Sequence, residues 1–155
     1  MEVAFSILDW KKSEAVFVAS VLAVVLGISV VQVRIGEAKT RDAQRKADAN
    51  LVSRAISNYF ADHKTYPLSD NGKMVACGFE GGEVCEWGGG PVIDADGVTY
   101  LKKIPVEPFS DKSWTYVYES DGKSFKIYAR LEREKKADLT IGCGIRVECN
   151  WYAPD

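Results

Sequence analysis

The pattern of apolar and polar positions begins with a long segment that carries no charge. Residues 15–33 (AVFVASVLAVVLGISVVQV) contain only three polar side chains, Ser20, Ser29 and Gln32. As a helix, about 19 residues reach about 28 Å, close to the thickness of the hydrocarbon core of a bilayer. A buried helix in a soluble protein is the alternative, but a small domain would have to cover this apolar cylinder on every side. The segment therefore predicts a retained membrane-spanning helix.

The helical pattern continues after the apolar segment. Residues 34–48 are rich in helix formers, and opposite charges fall three or four positions apart in the pairs Glu37–Arg41, Lys39–Asp42 and Asp42–Lys46. An apolar stripe then follows one helical face, formed by Leu51, Val52, Ala55, Ile56, Tyr59 and Phe60. The stripe predicts a helix that packs on a sheet and ends near His63, because Tyr66-Pro67 favours extended backbone.

The rest of the chain predicts short strands. Residues 67–97 are rich in glycine and show little regular pattern, so we expect a long connection there, followed by a proline-punctuated crossing at 101–108. Residues 114–131 alternate between apolar and polar around Asp121-Gly122, which predicts a hairpin with one wet face. Residues 139–151 predict a last strand or hairpin.

Together these patterns predict an α+β protein. The first half of a long N-terminal helix is transmembrane, and its second half packs on a small antiparallel β-sheet. We divide the chain into a leader and charged collar at 1–13, the transmembrane half of the helix at 14–34 and a globular head at 35–155.

Four cysteines lie in the predicted head, and their spacings do not match zinc sites. An even number beside a membrane anchor favours two disulfides on an oxidising side of the membrane. Three pairings are possible, and we favour the local ones because each lies in a glycine-bearing loop; four reduced thiols in a cytosolic head are the alternative. The favoured pairs are Cys77–Cys85 and Cys143–Cys149.

Composition and motifs give little support for an enzyme or a nucleic-acid-binding protein. The formal net charge is −2 and there is one histidine, His63, so no overall basic field favours nucleic acid. Nucleophile elbows, phosphate-binding loops and histidine-based zinc motifs are missing, and we expect no cofactor. Asp94 and Asp96 are weak candidates for a calcium loop, but later acidic ligands at the required spacing are not evident, so an Asp-Gly turn is the simpler interpretation.

The order of several motifs resembles the type IV pilins and the pseudopilins of type II secretion. The resemblance begins with residues 41–48 (RDAQRKAD), continues through 53–56 (SRAI) and 59–62 (YFAD), and reaches Tyr66-Pro67. Residues 104–108 (IPVEP) and 116–122 (YVYESDG) resemble the proline crossing and the aromatic hairpin of that family. The resemblance covers most of residues 10–131, and it implies a filament subunit used in adhesion, motility, DNA uptake or secretion.

The resemblance also implies a role for Glu14. Counted back from Arg41, Glu14 falls where the family places its assembly glutamate, four residues after the first mature residue. In the family this carboxylate is thought to meet the free amine of a neighbouring subunit; an ordinary interfacial charge is the alternative. Other subunits would then pack on Glu14 and on an apolar helix face formed by Phe17, Val18, Val21, Leu22, Val25 and Leu26.

The leader departs from the family pattern. Prepilin peptidase cuts between a glycine and a phenylalanine-like residue, whereas Asp9 and Trp10 stand at those positions and Lys11 and Lys12 follow. The processing site is therefore degenerate. An uncleaved, membrane-anchored binding module that does not polymerise is the alternative function.

The sequence gives two opposite indications of orientation. Two basic residues precede the apolar segment and about five follow it, which by the positive-inside rule alone would place the head in the cytoplasm. The cysteines and the resemblance favour the opposite orientation. We expect a single-pass protein of the bacterial cytoplasmic membrane with its head outside the cytoplasm, or in a surface filament, whose partners are the membrane, other pilin-like subunits and the inner-membrane assembly machinery.

Overall fold

A computed structural model describes residues 12–78, 80–134 and 139–153. One helix, α1 (Lys12–His63), is continuous over 52 residues. Its end at His63 confirms the predicted end of the helix. By internal contacts the chain divides between Ala38 and Lys39 into two units.

The described part of the first unit is helix α1 from Lys12 to Ala38, and nearly all of its side chains are exposed. The hydroxyl groups of this stretch bond back to the helix itself. Ser20 donates to the carbonyl of Phe17 at 2.7 Å, and Ser29 donates to the carbonyl of Val25 at 2.8 Å. Because these hydroxyls are satisfied internally, the surface between residues 15 and 33 presents almost only apolar groups.

The second unit combines the rest of α1 with three small antiparallel sheets. The first contains β1 (Ser69–Asp70), β2 (Lys73–Cys77) and β3 (Glu83–Val84), and the second pairs β4 (Val92–Ile93) with β5 (Thr99–Leu101). The third contains β6 (Val117–Ser120), β7 (Phe125–Ala129) and β8 (Trp151–Ala153). This is the α+β class that the sequence predicts.

One face of α1 lies on the main hydrophobic core. Val52 and Ile56 are fully buried, and the sheets contribute Met74, Tyr118 and Ile127 to the same cluster. The Tyr118 hydroxyl donates to the carbonyl of Pro67 at 2.7 Å, so its polar end is satisfied inside the core.

Two details of the predicted helix are wrong. Leu51 is 47% exposed, so the buried stripe consists of Val52, Ala55 and Ile56, with Tyr59 and Phe60 partly buried. Asp42 bonds to Arg45 rather than to Lys46, whose ammonium group lies 3.2 Å from Glu134. Lys46 therefore pairs with a residue distant in sequence, whereas Asp42 pairs with a residue on the next turn of the same helix.

The prediction of one sheet after a long irregular connection is also wrong. The described residues form three sheets, and residues 67–97 contain β1 to β4. These strands are two to five residues long, too short for alternation to reveal most of them. β1 and β2 join at Asn71-Gly72, whose φ angles of 47° and 77° match the positive values that a two-residue hairpin turn requires.

The predicted hairpin is present as β6 and β7 around Asp121-Gly122, but its outer face is not wholly wet. Tyr128 is buried, and it packs with Cys143 and Cys149 in a second cluster. Most of residues 139–150 form the disulfide-closed segment that covers this face, and regular strand structure begins only at Trp151. A periodic pattern within the hairpin could not reveal this covering by a later segment.

Candidate assembly surface and buried charge cluster

The first candidate site is the exposed apolar surface of the first unit. Helix α1 is long and apolar enough at its N-terminal end to cross a membrane, and none of the apolar window is buried. Phe17 is 68% exposed and Leu26 is 65% exposed; Val21, Leu22 and Val25 are also exposed, whereas Val18 is half-buried. Nothing in the described part of this unit covers these side chains, which is the condition for contact with lipid or with another helix.

Glu14 lies in the first turn of the described helix and is exposed. A carboxylate here is favoured by the positive end of the helix dipole. Asp9 and Trp10, the degenerate processing site, lie outside the described residues. The structure therefore places Glu14 beside the apolar surface and leaves the processing site undescribed.

The second candidate site is a buried cluster of charges in the second unit, which the sequence analysis missed. Arg45 is completely buried, and its Nε lies 2.5 Å from Glu107. Its Nη1 donates to Asp42 and to Glu132, both at 2.9 Å. Arg41 donates to both oxygens of Glu132, at 2.7 and 2.8 Å. These bonds connect α1 to the crossing before β6 and to the segment after β7.

Aromatic rings and backbone groups complete the cluster. The guanidinium carbon of Arg45 lies 5.3 Å from the centroid of Phe109 and 5.0 Å from that of Trp114, a cation–π arrangement. Glu107 also accepts the backbone N–H of Phe109. Among the described residues, the Nη2 of Arg45 has no hydrogen-bond partner.

The electrostatics of the cluster keep its ion pairs charged. Burial alone would lower the pKa of Arg45, but hydrogen bonds to Glu132 and Glu107 outweigh it, and that pKa lies above its usual value. The hydrogen bonds from Arg41, against the effect of burial, lower the pKa of Glu132. The arginine and this carboxylate therefore remain ionised at neutral pH.

A sequence signal for the cluster existed. Arg41, Asp42 and Arg45 lie in the RDAQRKAD run, and Glu107 lies between two prolines. The helical spacing of the run places Asp42 and Arg45 on neighbouring turns, but only the fold brings Glu107 and Glu132 to them. Their burial could not be read from the local pattern.

Both carboxylate oxygens of Asp94, one of the two weak calcium candidates, form hydrogen bonds with other groups of the protein. Its Oδ1 accepts the backbone N–H groups of Asp96 and Val98, at 3.0 and 2.8 Å. Its Oδ2 lies 3.0 Å from His63 Nε2 and accepts the Tyr100 hydroxyl at 2.9 Å. Although burial opposes the shift, these hydrogen bonds lower the pKa of Asp94.

Asp96 is exposed and contributes only its backbone to this turn. Within residues 12–78, 80–134 and 139–153, no group of three or more His, Cys, Asp and Glu is arranged to hold a metal ion. Asp94 therefore closes the Asp-Gly turn and connects it to the C-terminal end of α1.

Both disulfides join cysteines that are close in sequence. Cys77, at the end of β2, bonds to Cys85, the residue after β3, with their Cα atoms 5.2 Å apart. Cys143 bonds to Cys149 with Cα atoms 5.0 Å apart, and both are fully buried. These are the local pairs that the sequence favours, and each closes a loop that has little regular structure of its own.

Comparisons with known proteins add no assignment to this geometry. A scan against family models finds no match, and searches of curated proteins and of solved structures find none either.

Proposed function

We propose that this chain is a structural subunit of a type IV pilus-like or pseudopilus filament, anchored in a membrane and assembled through its N-terminal helix. One observation carries the proposal: a single 52-residue helix has an uncovered apolar N-terminal part and a C-terminal part whose inner face is buried in a folded head. Exposed apolar surface of this extent requires lipid or partner helices. A subunit that moves from a bilayer into a filament would contact lipid first and partner helices afterwards.

Assembly would use the apolar face that begins beside Glu14. Phe17, Val21 and Val25 are exposed and lie within about 80° of one another around the helix, so equivalent helices can pack against one another there. Packing of helices would bury the carboxylate of Glu14, which then requires a positive partner, and a terminal amine of the next subunit would neutralise it. The resemblance to pilins supports that pairing.

The two disulfides support a head on the oxidising side of the membrane. The pairing of basic residues in the head weakens the opposite indication from the positive-inside rule. Arg41, Arg45 and Lys46 each contact a carboxylate of the head, so these three basic groups belong to folded structure. Arg34 and Lys39 remain as basic groups close to the apolar segment.

A Glu14→Ala variant tests the assembly mechanism. In native cells we expect the variant to reach the membrane at the normal level but to form at least about tenfold fewer filaments, as measured by shearing and immunoblotting, because the buried charge pair is lost. Glu80→Ala, which removes an exposed carboxylate of the head, is the matched control and should assemble normally. Normal filaments from the Glu14 variant would contradict the proposed charge pairing.

A second function is favoured by a specific feature of the leader. Asp9 and Trp10 replace the glycine and phenylalanine of a pilin processing site, and Lys11 and Lys12 follow them. Without cleavage, no free amine forms at Trp10, and the chain would act as a membrane-anchored binding module that does not polymerise. The intact mass of the protein from its native membrane separates the two: a start at Trp10 supports the filament subunit, and a start at Met1 supports the module.

A further inference from the structure

A cavity of about 680 Å³ opens beside the C-terminal disulfide, in the second unit. This volume lies within the range of small-molecule sites, and the cavity is wide open to solvent. We propose that the cavity binds a small oxyanion, either the carboxylate of an acidic sugar or a phosphate group. The proposal is independent of filament assembly. The cavity is lined by Trp114, Arg130, Thr140, Gly142, Gly144, Arg146, Val147 and Glu148.

The cavity has a framework of backbone hydrogen bonds around a buried disulfide. Cys143 accepts the N–H of Thr115 at 2.8 Å and donates its own N–H to Val147 at 2.7 Å. Cys149 donates to the carbonyl of Ile141 at 2.8 Å. The backbone of the walls is therefore held in place before any ligand arrives, which reduces the entropy cost of ordering this loop on binding.

Two guanidinium groups give the cavity its charge. Arg130 directly follows β7, and Arg146 lies at the tip of the disulfide loop. Two separate segments therefore each contribute an arginine to the lining of the cavity. The lining includes one carboxylate, that of Glu148, and its formal charge is therefore +1 in a chain whose net charge is −2. A positively charged cavity in an acidic protein favours an anion.

Both arginines retain donors for a ligand. In the described part of the chain, Arg130 donates one long hydrogen bond, 3.4 Å, to the carbonyl of Glu148. Neither Arg130 nor Arg146 forms an ion pair there, whereas Arg41 and Arg45 bind carboxylates tightly. A guanidinium has five N–H donors arranged as a fork that matches carboxylate and phosphate.

The remaining walls suit a ligand that also has a less polar part. Trp114 is half-buried, and its ring is fixed edge-to-face against Phe109 at 5.3 Å. Trp114 and Val147 add apolar groups to the lining, and Thr140 adds a hydroxyl. An acidic sugar would use all three kinds of group, whereas free phosphate would use only the arginines and the hydroxyl.

Titration of the full chain in detergent micelles, followed by the NMR signal of the Trp114 indole N–H, tests the site. The probes are glucuronate, inorganic phosphate and neutral glucose. We expect saturable shifts with glucuronate, phosphate or both, and none with glucose. Saturation by glucuronate alone identifies an acidic-sugar site, and equal saturation by both identifies a general oxyanion site. The absence of saturation by either anion, or an equal response to glucose, would overturn the proposal.

Variants connect that response to the two arginines. We expect Arg146→Gln and Arg130→Gln each to weaken binding at least about fivefold, because each removes charge-assisted hydrogen bonds. Arg54→Gln, an exposed helix arginine outside the cavity, should bind as the wild type does. Arg146 is exposed at a loop tip, so its variant keeps the test decisive even where Arg130→Gln fails to fold. Unchanged affinity in the Arg146 variant would contradict the proposal.

Discussion

At the scale of the residue, Arg45 has the most demanding environment in the described part of the head. It is fully buried, and its charge is balanced by Asp42, Glu107 and Glu132. Such a group stabilises the fold only while every partner is present, since desolvated charges are costly when left unpaired. The cluster is therefore a place where a single substitution has a large effect.

An Arg45→Ala variant should be destabilised by about 3–5 kcal/mol, because it leaves the buried carboxylate of Glu107 without its cation. Urea unfolding of the full chain in detergent, followed by tryptophan fluorescence, measures the change. Arg54→Ala on the exposed face of the same helix should change stability by less than about 0.5 kcal/mol. Equal effects from the two variants would show that the buried ion pairs do not stabilise the head.

The same cluster predicts a dependence of stability on pH. Hydrogen bonds from Arg41 lower the pKa of Glu132 below its usual 4.5 in the folded state. The unfolded chain therefore takes up this proton at a higher pH than the folded chain does, and protonation favours unfolding. The contribution of Glu132 is complete well above pH 4.5 and is lost as the pH falls through the folded-state pKa.

A Glu132→Gln variant should be less stable than the wild type at neutral pH, and its stability should fall less steeply below the ordinary glutamate pKa of 4.5. Urea unfolding at a series of pH values measures both slopes. Glu134→Gln removes a carboxylate that is half-exposed and paired with Lys46, and it should retain the steep slope of the wild type. Identical slopes for wild type and Glu132→Gln would exclude this carboxylate as the source of the acid dependence.

At the scale of the element, α1 shows how far a periodic pattern can predict burial. The pattern predicts the helix and its end correctly, because 3.6-residue periodicity and the Tyr66-Pro67 stop are local properties. It groups Leu51 with Val52 on the buried stripe, but only Val52 is buried. Adjacent residues lie about 100° apart on a helix, so a stripe of this width has an edge that the sequence does not locate.

The pair Ile56→Ala and Leu51→Ala tests this boundary. Ile56 is fully buried in the main core, so we expect its truncation to cost about 2–5 kcal/mol. Leu51 is exposed, and we expect its truncation to change stability by less than about 0.5 kcal/mol. Chemical denaturation of the full chain measures the change in stability for both variants. A comparable loss from both variants would place Leu51 in a buried contact.

The sheets mark the limit of sequence reasoning at this scale. The β6–β7 hairpin could be predicted because Asp121-Gly122 separates two alternating runs. β1 and β2 carried an equally local signal, Asn71-Gly72, whereas strands of two residues such as β3 and β4 carry almost none. The Arg45 cluster and the cavity beside Cys143 depend on contacts between distant segments, which no local pattern specifies.

At the scale of the whole molecule, the two units differ in what satisfies their apolar groups. The head buries its own core and closes two loops with disulfides. The described part of the N-terminal unit contains an apolar helix surface that none of its own residues covers. This difference follows from the sequence, since an uninterrupted apolar run and an alternating pattern require different surroundings. The orientation of the head relative to the membrane does not follow from this difference and is measured separately.

The oxidation state of the cysteines in the native host provides that measurement. With the head outside the cytoplasm, all four cysteines should be oxidised, because reducing systems keep cytosolic thiols free. Cells are quenched in acid, and the denatured protein is alkylated before and after reduction. We expect no modification before reduction and four modifications after it, counted by intact mass. Reduction supplies the positive control, since it shows that every cysteine can react once its disulfide is open. Four modifications without reductant would place the head in the cytoplasm, and a filament on the cell surface would then be excluded.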